Sequence, residues 1–287
     1  MSLPNPACVV SFNGYDSDAY NGKPATGPDD PAFGKRIICE GDSWFSIGGA
    51  PSSNILEPLH FRQRTLLINL ARPGDTLLNM TDPHANRPLV QTLNETRWDA
   101  IFISGGGNDL IDNLMNIICT PSVGAGQHFL DYIDRIELTR LRVNVHQYHR
   151  RLARLRDTSK KNAGIPIVTH VYDYPTPRDA PANLAGILSL AGPWLYPALM
   201  TRQVPQDFWI PITDYIFESL GSFLVELCAE IDNFHVVSKT KGVLQRARLG
   251  TSGADGDWLN EIHPTARGYG KLAEVISPEL DRILFSA

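Results

Sequence analysis

Five short apolar runs recur along the chain from residue 36 onward: Arg36–Glu40, Leu66–Leu70, Ala100–Ser104, Ile165–Tyr172 and Phe234–Val237. Each is nearly continuous in hydrophobic residues instead of alternating with polar ones. That pattern predicts strands of a parallel sheet covered on both faces. Between them the periodicity changes to steps of three and four. Leu138, Leu141, Val145, Tyr148, Leu152 and Leu155 trace one helical stripe, and Gly164 stands where a C-terminal cap is expected. Residues 213–231 trace another, with Ile216, Leu220, Phe223, Leu224 and Leu227 on one side. A last helix is expected to begin at Pro264, a good first-turn residue, and to carry Leu272, Ile276 and Leu280, with Pro278 as a point of kinking or splitting. Strand and helix in alternation predict an α/β chain, a three-layer α/β/α sandwich around a central parallel sheet.

Two stretches break this rhythm. Residues 12–34 are rich in Gly, Pro, Asp and Asn and lack periodicity, so 1–34 reads as an N-terminal arm ahead of one domain spanning 35–287. Residues 174–212 carry seven prolines together with Trp194, Tyr196, Phe208 and Trp209. A connection so long is usually functional or disordered. Its aromatic content argues for order, and hence for an insertion lying over the site.

Composition narrows the function classes. With 43% hydrophobic and 20% charged residues, the chain has the balance of an ordinary globular protein. A net charge of −5 gives no pull towards nucleic acid. No run of about 18 apolar residues exists, so no transmembrane segment is expected. Met1–Val10 lacks the basic start and apolar stretch of a secretory signal, which makes the cytoplasm the expected compartment. Cys8, Cys39, Cys119 and Cys228 are scattered, form no CxxC pair and read mostly as buried thiols. His146 and His149 share a helix side without an acidic or cysteine partner close in sequence, so no metal site is expected. Arg140 to Lys161 holds eight basic residues and one acidic residue, a stripe best read as a solvated helix face. Nothing in the sequence sets an oligomeric state.

The candidate chemistry sits at the ends of the apolar runs, where open α/β sheets hold their reactive groups. Gly41-Asp42-Ser43-Trp44 follows the first run, Ser104-Gly105-Gly106-Gly107-Asn108-Asp109 the third, and Asn260-Glu261-Ile262-His263-Pro264 precedes the last helix. A serine hydroxyl needs a base to become a nucleophile, and His263 is the candidate. A developing oxyanion needs preorganised donors, which the Ser43 N–H, an N–H at Gly74 and the Asn108 amide can supply. Asp42 and Asp109 read as turn-forming structural residues. His170 and Tyr172, at the end of the fourth run, read as satisfied buried polar groups in preference to substrate contacts. Trp44, Phe45, Trp194, Tyr196 and Trp209 divide between ordinary core and the walls of an apolar acyl pocket.

These segments resemble the conserved blocks of the SGNH (GDSL) hydrolase family. Gly41-Asp42-Ser43 matches the first block, Gly74 the second more loosely, Gly107-Asn108-Asp109 the third, and His263-Pro264 part of the last. The resemblance implies a flavodoxin-like sandwich, Ser43 as nucleophile, His263 as base, an oxyanion hole of Ser43, Gly74 and Asn108, and no cofactor or metal. It implies an esterase or lipase acting on small-molecule or lipid esters. A carbohydrate O-acetylesterase and a non-catalytic binding module on the same fold are the alternatives. The chain departs from the family at Asn260, where an aspartate is usual. Three readings follow: Asn260 orients the imidazole by a hydrogen bond; Glu261, Asp257 or Asp173 reaches it; or a backbone carbonyl does.

Overall fold

The computed structural model describes residues 3–12, 27–46, 53–184 and 188–286, with backbone alone for 183–184 and 188–191. Its centre is a six-stranded sheet of β1 (Cys8–Ser11), β2 (Lys35–Gly41), β3 (Thr65–Asn69), β4 (Ala100–Ser104), β5 (Ile167–His170) and β6 (Phe234–Val237). The spatial order is β6-β5-β4-β2-β3-β1, and every pairing is parallel. The central strands are apolar because neither face meets water: every residue of β4 and of β5 is buried. Helices flank the sheet as α/β/α layers.

The helices are α1 (Ser43–Ser46), α2 (Leu77–Thr81), α3 (Arg87–Glu95), α4 (Gly107–Asp112), α5 (Leu114–Ile117), α6 (Arg135–Thr158), α7 (Leu195–Thr201), α8 (Trp209–Glu226) and α9 (Ala266–Leu284). α2 and α8 both pack on α6. The strand order reverses between β2 and β4. That switch point opens a crevice at the carboxyl ends of the strands, and α1 and α4 begin there.

Several sequence expectations shift. The 1–34 arm contributes β1, which lies parallel beside β3 at the sheet edge, with Cys8 opposite Leu66 and Ser11 opposite Asn69. Four residues are too few to show a period, and their partner lies far along the chain. Residues 13–26, also assigned to the arm, lie outside the described residues. β5 is shorter than the 165–172 run. Gly164 does not cap α6: that helix ends at Thr158, where the Ser159 hydroxyl donates to the Leu93 carbonyl at 2.7 Å. Gly164 (φ +75°) instead turns the chain into β5. The 213–231 helix starts earlier, at Trp209, and ends earlier, at Glu226, passing into a 3₁₀ turn. The last helix starts at Ala266 with Thr265 as its cap, because the Thr265 hydroxyl accepts from the Gly268 N–H at 3.1 Å. It continues past Pro278.

Of the cysteines only Cys39 is buried; Cys8 and Cys119 are partly covered, Cys228 is exposed, and all are free. The basic stripe on α6 is largely paired. Arg140, Arg142, Arg150, Arg151 and Arg156 meet Glu137, Glu226, Glu230, Asp82 and Asp157. Among the described residues no helix is long and apolar enough to cross a membrane.

Candidate active site

Ser43 stands one residue beyond Asp42 at the end of β2 and opens α1, so its N–H has no partner within that helix. Asp42 fixes this turn. Its carboxylate accepts from the Trp44 N–H at 3.0 Å, the Ser104 hydroxyl at 3.0 Å and the Tyr172 hydroxyl at 2.5 Å. Ser104 in turn meets His170 Nε2 at 3.1 Å, while His170 Nδ1 meets the Val171 carbonyl at 3.1 Å. Asp42, Ser104, His170 and Tyr172 thus wire the ends of β2, β4 and β5 together beneath the serine. Burial pushes the Asp42 carboxyl up to about 6 and the His170 imidazole down to about 4. His170 is a satisfied buried group, as read from the sequence; Tyr172 is buried too, and also borders the cleft beside Ser43.

His263 arrives from the far end of the chain. Its Nε2 lies 2.7 Å from Ser43 Oγ, although the residues are 220 positions apart. Its Nδ1 lies 2.9 Å from Asn260 Oδ1. The same oxygen accepts from the backbone N–H groups of Ile262 at 3.1 Å and His263 at 2.9 Å. Those two donors decide which way the amide points, since its NH₂ end cannot accept from them. An oxygen facing Nδ1 requires a proton on Nδ1 and leaves the Nε2 lone pair facing the serine. Ser43 and His263 are 8% and 6% exposed, and burial holds the imidazole down at about 4. It is therefore a free base at neutral pH.

The other orienting groups weighed from the sequence are occupied elsewhere. Asp257 pairs with Arg267 and Lys271. Asp173 accepts from the N–H groups of Tyr174, Gly242 and Leu244. Glu261, fully buried, accepts from the backbone N–H groups of Arg178, Trp194, Leu195 and Tyr196. It clamps the start of α7 to the histidine loop. Burial raises its carboxyl to about 7 against the pull of those donors. The buried Arg178 guanidinium donates to the Asn260 carbonyl at 2.7 Å, and Trp44 Nε1 donates to the Ile262 carbonyl at 3.1 Å. No sequence signal pointed to Arg178; a buried arginine is identifiable only once its carbonyl partners are in place.

Of the expected oxyanion donors, Ser43 and Asn108 line one cleft, and Gly74 stands on a loop bonded to Asn108. Asn108 is on the first turn of α4, and its Nδ2 donates to the Asp75 carbonyl at 2.8 Å. An amide nitrogen carries a second proton, which this bond leaves free. The same bond ties Asn108 to the loop that carries Gly74. Gly74 has φ +74°, a conformation that glycine adopts without strain. Gly107 is required for a different reason: a Cβ there would come within 2.9 Å of the Tyr172 ring. Asp109 is structural, accepting from the Leu77 N–H at 2.9 Å.

Of the aromatic candidates, Trp44 is buried beside the cleft, stacked on His170 at 5.6 Å. Phe45 and Trp209 belong to the core, and Tyr196 packs on Trp209. Trp194, from the 174–212 insertion, sets its ring edge-on to His263 at 5.4 Å. Sequence reasoning missed Ile111, Pro175, Phe217 and Ile262, which also line the cleft next to Ser43.

An uncharged imidazole thus stands against a strand-end hydroxyl on a parallel α/β/α scaffold. Residues 41–276 match the GDSL-like Lipase/Acylhydrolase family, and the chain belongs to that family. It is a carboxylic ester hydrolase. No curated protein matches it by sequence. Among solved structures it is similar in fold to the lipase Lip_vut3 from a goat rumen metagenome, with 14% identity, 85% of this chain and 96% of that chain covered, and a TM-score of 0.53. A family 3 carbohydrate esterase from Clostridium thermocellum matches at 12% identity, with 88% of this chain and 98% of that chain covered and a TM-score of 0.48.

Proposed function

We propose that the chain hydrolyses esters through an acyl-enzyme on Ser43, with His263 as general base and acid and Asn260 as the group that orients it. The observation that carries this reading is the continuous contact from Ser43 Oγ through His263 to Asn260 Oδ1. Ser43 Oγ attacks the ester carbonyl carbon as its proton passes to Nε2. The carbonyl oxygen becomes an oxyanion facing the Ser43 N–H, the Gly74 N–H and the free proton of Asn108 Nδ2. Collapse of this intermediate breaks the bond to the alcohol, which leaves with the proton from Nε2. Water then attacks the acyl-enzyme, giving its proton to Nε2, and the acid departs as Ser43 recovers its proton. None of these steps calls for a metal or cofactor.

Labelling with a fluorophosphonate, followed by peptide mass mapping, tests the reading on wild type and Ser43→Ala. The expected result is a single adduct on the Ser43 peptide that the variant loses together with esterase turnover. A folded wild type that takes no label and turns over no ester would instead support a binding module.

A further inference from the structure

The cleft beside Ser43 bears on substrate class, given the Ser43 reading above. At the tetrahedral carbon four directions are fixed by chemistry. One goes to Ser43 Oγ, and one oxygen faces Asn108 and Gly74. The leaving alcohol faces His263 Nε2, because it collects its proton there. The acyl tail must take the fourth direction. The cleft touches Ser43 and Asn108 but has neither His263 nor Gly74 among its walls, so it lies in neither the leaving-group direction nor the Gly74 one.

Its remaining walls include Ile111, Pro175, Phe217 and Ile262. These four are apolar, as an acyl tail requires; Asp42 and Asp173 also stand on the wall, their carboxylates taken up by the hydrogen bonds described above. The cavity holds about 20 Å³, little more than one water-sized group occupies.

The walls are tied to the site machinery. Ile111 follows Asn108 by three positions on α4, so the two share a helix face. Phe217 is 5% exposed on the buried side of α8. Tyr172 closes the floor through its bond to Asp42. A longer tail would have to displace these side chains or turn out through the open side of the cleft.

We propose that this cavity is the acyl pocket, that it admits acetyl-sized groups, and that Phe217 and Ile111 set its limit.

The test compares kcat/KM for p-nitrophenyl acetate, butanoate and octanoate in wild type, Phe217→Ala, Ile111→Ala and the milder Phe217→Leu. Wild type should fall by about tenfold or more from acetate to butanoate, and further to octanoate. The alanine variants should raise the butanoate-to-acetate ratio by about tenfold. Phe217→Leu, which keeps the helix face apolar, should raise it less and serves if Phe217→Ala does not fold. A wild type that prefers octanoate, or a ratio unmoved in the folded variants, overturns the pocket. If Ser43→Ala is inactive in that case, only the pocket assignment falls. If Ser43→Ala keeps wild-type turnover, the nucleophile reading falls and the pocket with it.

Discussion

At the scale of single residues the decisive position is Asn260. An aspartate there would both orient the imidazole and stabilise its charged form. Asn260 does the first, because two backbone N–H groups pin its oxygen towards Nδ1. It cannot do the second, lacking a negative charge. Asn260→Asp should therefore raise the His263 pKa from about 4 by roughly one to three units. The active form is the free base, so activity in wild type should rise as pH climbs through about 4 and then level off. In the variant the acid limb should move to higher pH while the plateau kcat rises by about tenfold or more, read from pH profiles of kcat and kcat/KM. An acid limb that stays in place would mean that Asn260 is not the partner of His263. Ser43, Asn108 and His263 were legible in the sequence as motif residues. The partner of His263 was not, because four side chains and a carbonyl lay within plausible reach in sequence and only packing separates them.

At the scale of elements, the 174–212 insertion is held by a carboxylate from outside it. Glu261 accepts N–H bonds from Arg178, Trp194, Leu195 and Tyr196, which joins the start of α7 to the loop carrying Asn260 and His263. Glu261→Ala would strand those buried donors, each a group that is costly to leave unmade. The expected loss is about 3 kcal/mol or more in urea unfolding. A loss below about 0.5 kcal/mol, the scale of an ordinary surface change, would show that the clamp does not hold the segment. Glu261 was weighed from the sequence as a partner for His263 because it is two positions away. The loop instead sends its side chain to the backbone N–H groups at the start of α7. The strands were legible because burial on both faces leaves a continuous apolar run. The helix ends were less so, because caps such as Ser159 are set by contacts with distant residues such as Leu93.

At the scale of the whole molecule, buried titratable groups set how stability follows pH. Burial holds His149, His170 and His263 down at about 4, against an ordinary 6.5. The unfolded chain then binds more protons across that interval, so this stabilisation is complete about a unit above 6.5 and is lost as pH falls towards 4. Burial pushes Glu40 up to about 8 and Glu261 up to about 7, against an ordinary 4.5. Here the folded chain binds more protons, so the stabilisation present at low pH is lost as pH rises through those values. Between about pH 7.5 and 8.5 the histidine contribution has levelled off and the carboxyls, Glu40 above all, decide the sign. The unfolding free energy should fall over that window by up to roughly 1.4 kcal/mol per group per pH unit, and Tm should fall with it. Glu40→Gln, which cannot ionise, should flatten the fall. Calorimetric scans at both pH values check this, and a Tm that rises with pH would contradict it.

The sequence by itself determined the α/β alternation, the core strands and the identity of the serine, asparagine and histidine. Those are written in hydrophobic period and in motifs a few residues long, both local properties. Tertiary structure decided that Cys8–Ser11 completes the sheet, that Asn260 and not a carboxylate meets His263, and that Ile111 and Phe217 wall the cleft beside Ser43. Each of these is a contact between segments far apart in sequence. Such a contact is set by how the layers pack, and packing leaves no period for the chain to display.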